Sequence, residues 1–230
     1  MNKGIQKIFS EVPKRYEFLN HLLTFGMDIV CRRRASRLAA RDGGTAWLDI
    51  CSGTGETASY LRSLGNGTTT VIAGDFCLPM LNEAMKKPNA DKIEFLLTDA
   101  RQLPFADNSL DLVTISFATR NINTSRDNLI RTFGEFYRVL KPGGRYINLE
   151  TSQPPVKLIR KMMHLYIRLT VRQVGTLISG SKSGYTYLSN TIPRFYEAEE
   201  LTEIIHEAGF REVSFNHMFF GVTAIHKAVK

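Results

Sequence analysis

The sequence lacks a long apolar run and any cysteine pair. No stretch of about 18 apolar residues occurs in the 230-residue chain, so we predict no membrane-spanning helix. The first 14 residues mix charged with isolated apolar side chains and have no apolar signal core, which indicates a cytoplasmic protein. The three cysteines, Cys31, Cys51 and Cys77, have neither CxxC nor metal-ligand spacing. We therefore expect free thiols and no metal, and the alternative that the three meet at one ion stays open.

Acidic residues are also missing between Thr151 and Tyr196, a segment that carries seven arginines and lysines. A second basic cluster is Arg32-Arg33-Arg34, within a chain of formal net charge +8. Such patches attract phosphates of nucleic acids or of lipid headgroups, and the alternative is an ordinary solvated surface.

Short apolar runs alternate with amphipathic segments from residue 45 onward. Strands are predicted at Ala46–Cys51, Thr69–Gly74, Ile93–Leu97, Leu110–Phe117 and Tyr146–Leu149. Helices are predicted at Thr57–Leu64, Pro79–Lys87 and Ser125–Leu140, the last with Lys141 in its final turn before Pro142-Gly143-Gly144. Strands separated by helices predict an α/β domain with a parallel sheet covered on both faces.

The rhythm changes after Glu150. A long helix is predicted at Val156–Ile178, a shorter one at Glu197–Glu207, and a hairpin at Val213–Phe219 and Thr223–Lys227. We predict a single domain, 1–230, in four parts. These are a basic helical cap at one edge of the sheet (1–44), a cofactor-binding core (45–150), an acceptor or lid insertion (151–196) and a C-terminal helix and hairpin (197–230).

Small and acidic residues follow the predicted strands. Ser52-Gly53-Thr54-Gly55 follows the first, where glycines let the backbone approach a ligand and the next helix presents its N–H groups. Gly74-Asp75 ends the second strand, where a carboxylate can bind a ribose diol. Thr98-Asp99-Ala100 and Ile115-Ser116-Phe117 end the third and fourth. Together these strand ends describe one nucleoside-sized site.

Longer motifs around these residues resemble class I S-adenosylmethionine methyltransferases, namely LDICSGTGETA, GDF…PML, TDARQLPFADNSLDLVTISFATRN and YRVLKPGG. The chain most resembles the UbiE/MenG family, which C-methylates quinone rings in ubiquinone and menaquinone biosynthesis. RYEFLN and TFG near the N-terminus, and YTYL and GVTAIH near the C-terminus, are similar to that family's segments.

The resemblance implies a Rossmann-like fold with a mostly parallel seven-stranded sheet, an antiparallel C-terminal strand, helices on both faces, extra N-terminal helices and a helical insertion after strand 5. It implies that S-adenosylmethionine is the cofactor, bound by Asp49, Gly53, Thr54, Gly55, Asp75, Phe76, Asp99, Ala100 and Ser116. The acceptor would be a prenylated quinol, demethylmenaquinol or the ubiquinol-precursor equivalent.

A quinol ring carbon becomes nucleophilic when the adjacent hydroxyl ionises, and a phenolic pKa is about 10. We expect Arg120 to stabilise the developing phenolate and Asn121 to hold a ring oxygen or a water, with Tyr16 as a further catalytic group. The alternative for Arg120 is a helix cap or a pair with Asp75. His226 is a weaker candidate, and we expect Tyr185 and Tyr187 to shape the acceptor pocket or to pack in the core.

Within residues 157–172 a basic residue recurs at every fourth position, and on a helix these residues form one basic stripe: Arg160, His164, Arg168 and Arg172. This pattern predicts peripheral attachment to the inner face of a membrane, or else a lid helix with a wet basic face.

Other acceptors stay open, because Val30-Cys31-Arg32 and Arg172-Gln173-Val174-Gly175 depart from the family's Trp-Arg and Pro-Ile-Gly elements. The alternatives are a soluble phenol, a sterol or a natural product. We do not expect a nucleic-acid substrate or an inactive cofactor-binding scaffold, and a homodimer remains open.

Overall fold

One seven-stranded sheet organises the computed structural model, which describes residues 13–171, 173 and 182–230. The strand order is β3-β2-β1-β4-β5-β7-β6, in which β7 is antiparallel to both its neighbours and the other pairs are parallel. The strands are β1 Ala46–Ile50, β2 Thr70–Asp75, β3 Glu94–Leu97, β4 Leu110–Ser116, β5 Leu140–Thr151, β6 Glu212–Met218 and β7 Thr223–Val229. The predicted Rossmann-like fold is confirmed.

Helices cover both faces of this sheet. In the described part of the chain they are α1 Pro13–Leu23, α2 Met27–Ala40, α3 Glu56–Leu64, α4 Leu78–Ala84, α5 Thr119–Ile122, α6 Arg126–Val139, α7 Lys157–Tyr166, α8 Lys182–Thr191 and α9 Ala198–Glu207. Local sequence sets several of their ends. The Ser125 side chain accepts a hydrogen bond from the Asn128 N–H at the start of α6, and Glu197 and Glu200 form a capping box at α9.

Helix α2 lies on a face of the sheet, so the predicted position at one edge is wrong. Its Cys31, Ala35 and Ala39 are buried in a cluster with Trp47 of β1 and Leu112 of β4. Small side chains at these positions allow the helix to pack closely on central strands, where it buries more apolar surface than an edge would offer.

The end of α6 also differs from the prediction. The helix stops at Val139 and β5 begins at Leu140, so Lys141 lies in a strand and donates to Asp111 at 2.8 Å. Leu140 pairs with Leu110 of β4, so the residues after Val139 join the sheet. The pairing register of β4 with β5 shifts between Leu110 and Leu112. Gly143, at a φ of 77°, adopts the left-handed conformation that the turn-like sequence predicts, but within the strand.

The C-terminal predictions are confirmed at α9 and at the antiparallel β6–β7 pair. Of the long helix predicted at Val156–Ile178, the described part is α7 and a π-helical turn at Ile167–Val171. Arg172 and residues 174–178 of that prediction, and the side chains of Tyr185 and Tyr187, lie outside the described structure.

No helix among the described residues has the length and apolar character needed to cross a membrane.

Candidate active site at the strand ends

An open cavity with about 560 Å³ of empty space lies at the carboxyl ends of β1, β2 and β4. The loop after β1 supplies residues 51–54, the end of β2 supplies Asp75 and Phe76, and residues 116–118 and Asn121 close the side next to β4. Ligands of open α/β sheets bind at this edge, where the strand order reverses between β1 and β4.

The glycine loop and Asp75 hold each other in place. The Gly53 N–H donates to one oxygen of Asp75 at 2.8 Å, and the Cys77 N–H donates to the other at 2.8 Å. Burial raises the pKa of Asp75. The Phe76 backbone also donates to this carboxylate. A carboxylate offers about four lone-pair sites, so the side chain can still accept a hydrogen bond from a ribose hydroxyl.

The two glycines of the loop have different surroundings. A Cβ on Gly53, at a φ of 56°, would meet no atom within 4 Å, so this position faces open space in the cavity. A Cβ on Gly55, at a φ of 77°, would lie 2.8 Å from the Cβ of Ala84 in α4. Gly53 thus leaves room for a ligand, whereas Gly55 allows α3 and α4 to pack.

Backbone strain marks two of the strand ends. Cys51 after β1 and Phe117 after β4 have φ values of 55° and 57°, and both line the cavity. Side chains other than glycine rarely adopt this left-handed region, at a cost of roughly 1–2 kcal/mol per residue. Such strain clusters at binding sites, because it turns the chain sharply away from the strand.

The cavity brings together half of the residues predicted to form the site: Gly53, Thr54, Asp75, Phe76, Ser116 and Asn121. Asp49, Gly55, Asp99 and Ala100 do not line it. Asp49 is buried against Thr114, whose hydroxyl donates to it at 2.7 Å, and burial raises its pKa to about 7. The Asp99 carboxylate is 2.7 Å from Arg101. That these residues bind the cofactor stays a prediction.

Arg120 forms a buried ion pair with Glu150, a partner that the sequence did not predict. Its Nη1 lies 3.1 Å from the carboxylate, while its Nε has no hydrogen-bond partner among the described residues. A charge pair was one of the alternatives for Arg120, with Asp75 as the expected partner. The side chain of Tyr16 lies outside the described structure.

His226 lies in β7 and is not among the residues that line the cavity. The side chain is 1% exposed and its Nε2 is 2.9 Å from the carbonyl oxygen of Ala198. Burial lowers the pKa of His226 to about 4, so the ring is neutral and structural.

Arg32 and Glu56 also line the cavity, and the sequence reasoning missed both. Glu56 directly follows Gly55 as the first residue of α3, a position from which its side chain could have been inferred to lie near the ligand. Arg32 is one of three adjacent arginines, and no sequence pattern distinguishes it from the other two. The packing of α2 on the sheet brings this one arginine to the cavity.

Several polar atoms at the cavity are buried without a hydrogen-bond partner in the described structure: Arg32 Nε, Ser52 Oγ and Asn121 Oδ1. Buried polar groups normally have partners, so these atoms indicate a polar ligand. An adenosine joined to an amino acid would suit these polar atoms. Its ribose would lie at Asp75, and the absence of a side chain on Gly53 would let it come close to the backbone. The fold and cavity are those expected of a class I S-adenosylmethionine-dependent methyltransferase.

Solved structures share this fold. A S-adenosylmethionine-dependent methyltransferase from Thermotoga maritima matches with a TM-score of 0.69 at 19% identity, over 98% of this chain and 99% of that one. Another, from Aquifex aeolicus, matches with a TM-score of 0.60 at 18% identity, over 85% and 88%. At these identities the likeness concerns the fold.

The model of the ubiE/COQ5 methyltransferase family matches residues 1–230. A demethylmenaquinone methyltransferase of Thermus thermophilus is 39% identical over 95% of this chain and 98% of the relative. A ubiquinone/menaquinone biosynthesis C-methyltransferase UbiE of Desulfotalea psychrophila is 35% identical over 99% and 90%. The chain belongs to the ubiE/COQ5 methyltransferase family, and its cofactor is S-adenosylmethionine.

Proposed function

We propose that the protein methylates a ring carbon of a prenylated quinol, demethylmenaquinol or the equivalent ubiquinol precursor. The observation that carries this proposal is the match of the whole chain to a family whose curated relatives are named for quinone C-methylation. Those names favour a quinol over the soluble phenol, sterol or natural product that the sequence left open.

The cofactor supplies a methyl group on a sulfonium, so the protein's work is to orient the acceptor and to favour its ionised form. Asn121 faces the cavity, and its unpartnered Oδ1 can accept a hydrogen bond from a quinol hydroxyl. This bond would place the ring carbon and would raise electron density at the oxygen before the proton leaves.

Arg120 is adjacent to Asn121 in α5 and is the cation that we assign to the developing phenolate. Glu150 holds one Nη of its guanidinium, and the Nε, which is buried and has no hydrogen-bond partner among the described residues, is the group that we assign to an anionic oxygen. A preorganised cation of this kind favours the phenolate without a strong base. Tyr16 is the third group that we assign to the acceptor.

The test is methyl transfer from labelled S-adenosylmethionine to a panel of acceptors. We expect label in demethylmenaquinol or in a ubiquinol precursor that lacks the ring methyl group, and none in the oxidised quinones, which lack an ionisable hydroxyl. Transfer to a soluble phenol or to tRNA, with both quinols unlabelled, would contradict the proposal.

We also propose peripheral membrane attachment through α7 and its π-helical turn. Two members of the basic stripe are paired within the chain, because Arg160 pairs with Glu197 at 2.7 Å and His164 lies 2.8 Å from the Gln153 side chain. The same segment also exposes apolar side chains, at 54–67% exposure: Leu158, Met162, Leu165 and Leu169.

Helix α1 adds the exposed Phe18 and Leu22, and Phe25, in the turn after α1, is exposed with its ring 6.0 Å from that of Tyr166 in α7. Lys157 and Lys161 are exposed on α7 beside it, and Arg168 is exposed in the π-helical turn. An apolar surface flanked by cations suits the interface of an anionic bilayer, where a prenylated acceptor resides.

Sedimentation with anionic liposomes at low salt tests this attachment. We expect the wild type to co-sediment, the Leu158→Glu/Met162→Glu variant to stay in solution, and Leu64→Glu, at an exposed site on α3, to behave as wild type. Absence of wild-type binding contradicts the proposal. If analytical ultracentrifugation instead shows a dimer that the double variant abolishes, the face is a homodimer interface.

A further inference from the structure

Arg32 places a positive charge at the cavity. Among the described residues that line the cavity it is the one basic side chain, and it is 7% exposed. Its Nη1 donates to the Thr57 hydroxyl at 3.2 Å, and its guanidinium carbon lies 5.0 Å from the centre of the Phe117 ring. The guanidinium is therefore held between the first turn of α3 and the end of β4.

The Nε of this guanidinium has no hydrogen-bond partner in the part of the chain that the structure describes. Glu56 Oε2 is close, at 3.4 Å, but does not form a hydrogen bond with it. An unsatisfied buried donor is unfavourable by about 1–3 kcal/mol, which points to a ligand atom at this position. Arginine presents its N–H groups in a planar fork that matches a carboxylate.

Glu56 adds the opposite charge at the same end of the cavity. Burial raises its pKa, whereas the neighbouring Arg32 lowers it. His21 from α1 lies 3.5 Å from the other carboxylate oxygen and is itself fixed by Asp28 at 2.8 Å. Helices α1 and α2 thus support a cation and an anion side by side at the start of α3.

The arrangement matches the charges of one part of the cofactor. With the ribose at Asp75, the cofactor's amino-acid end extends along the loop after β1 towards α3, and it carries one carboxylate and one ammonium. We propose that Arg32 binds the α-carboxylate of the cofactor's methionine moiety and that Glu56 accepts a hydrogen bond from its α-ammonium. The N-terminal helices thereby complete the cofactor site.

Titration calorimetry with two ligands isolates this contact. S-adenosylhomocysteine contains the amino-acid end, and 5′-methylthioadenosine lacks it but keeps the nucleoside and the thioether. A charge-assisted hydrogen bond contributes about 1.5–3 kcal/mol, so Arg32→Met should weaken S-adenosylhomocysteine binding by on the order of 10- to 100-fold. Binding of 5′-methylthioadenosine should stay within about threefold. Glu56→Gln should show the same selectivity.

Arg33→Met is the matched control, because Arg33 is the next residue of α2 but is exposed beside Tyr60. It should change neither affinity. If Arg32→Met does not fold, Arg32→Lys replaces it, and a loss confined to S-adenosylhomocysteine is again expected. Equal losses for both ligands, or no loss for either, overturn the proposal. No acceptor is present, so the outcome is independent of whether the substrate is a quinol.

Discussion

The side chain of Glu150 holds both the guanidinium and the backbone of Arg120. Its Oε1 lies 3.1 Å from Nη1, and its Oε2 accepts a hydrogen bond from the Arg120 N–H at 3.1 Å. Because Glu150 belongs to β5 and Arg120 to α5, this contact connects the short helix after β4 to the neighbouring strand. It also positions Asn121, the next residue, at the cavity.

Removal of one partner of this pair should destabilise the fold. Glu150→Ala leaves a buried guanidinium without its counter-charge, and we expect the free energy of unfolding to fall by about 3–5 kcal/mol. Urea denaturation measures this change. The double variant Arg120→Met/Glu150→Leu, which removes both charges, should recover much of the loss. A single variant as stable as wild type would show that the pair has no structural role.

The catalytic assignment of Arg120 needs a variant that does not leave Glu150 charged and unpaired. Arg120→Ala/Glu150→Gln should lower turnover by about 10²–10³-fold, because one preorganised group that stabilises an oxyanion contributes on that scale. Cofactor affinity should stay near wild type, since Arg120 is assigned to the acceptor and not to the cofactor. Glu150→Gln alone is the control. Unchanged turnover in the double variant would remove Arg120 from the mechanism.

Acid should destabilise the protein partly through His226. Its pKa is lowered from an ordinary 6.5 to about 4 by burial, so between these values the unfolded chain takes up a proton that the folded chain does not. Stability should therefore fall as the pH decreases from 6.5 to 4, by about 3 kcal/mol from this group.

His226→Gln replaces the imidazole ring at this buried site with a neutral amide, which does not titrate. Denaturation at pH 7 and pH 4 should show a smaller loss in this variant than in wild type. An identical pH dependence in wild type and His226→Gln would refute the assignment.

The two loop glycines should respond differently to the same substitution. Gly55→Ala places a Cβ 2.8 Å from Ala84, so we expect a loss of stability of about 2–4 kcal/mol from overpacking and left-handed strain. Gly53→Ala adds a methyl group in open space, so it should cost about 1–2 kcal/mol from strain alone but should weaken cofactor binding.

Thermal unfolding and S-adenosylhomocysteine titration separate these effects. Ala84→Gly should partly restore the stability of Gly55→Ala, because it removes the atom that the new Cβ meets. The assignment fails if Gly53→Ala binds the ligand as wild type does.

Much of the fold was predictable because its signals are local. Apolar runs and helical periodicity located the strands of the sheet, and capping residues marked α6 and α9. The errors arose where tertiary contacts outweighed a local signal. Pro142-Gly143-Gly144 looks like a helix stop followed by a turn, but pairing with β4 extends β5 through it.

The sequence by itself determined that small and acidic residues meet at the ends of β1, β2 and β4, because residues that follow parallel strands converge at one edge whatever the details of packing. Only the tertiary structure decided which arginine reaches that site and which carboxylate pairs with Arg120. Arg32 and Glu56 are 24 positions apart, and Arg120 and Glu150 are 30 apart. Such contacts depend on how a helix packs on the sheet, and no local pattern of residues records that geometry.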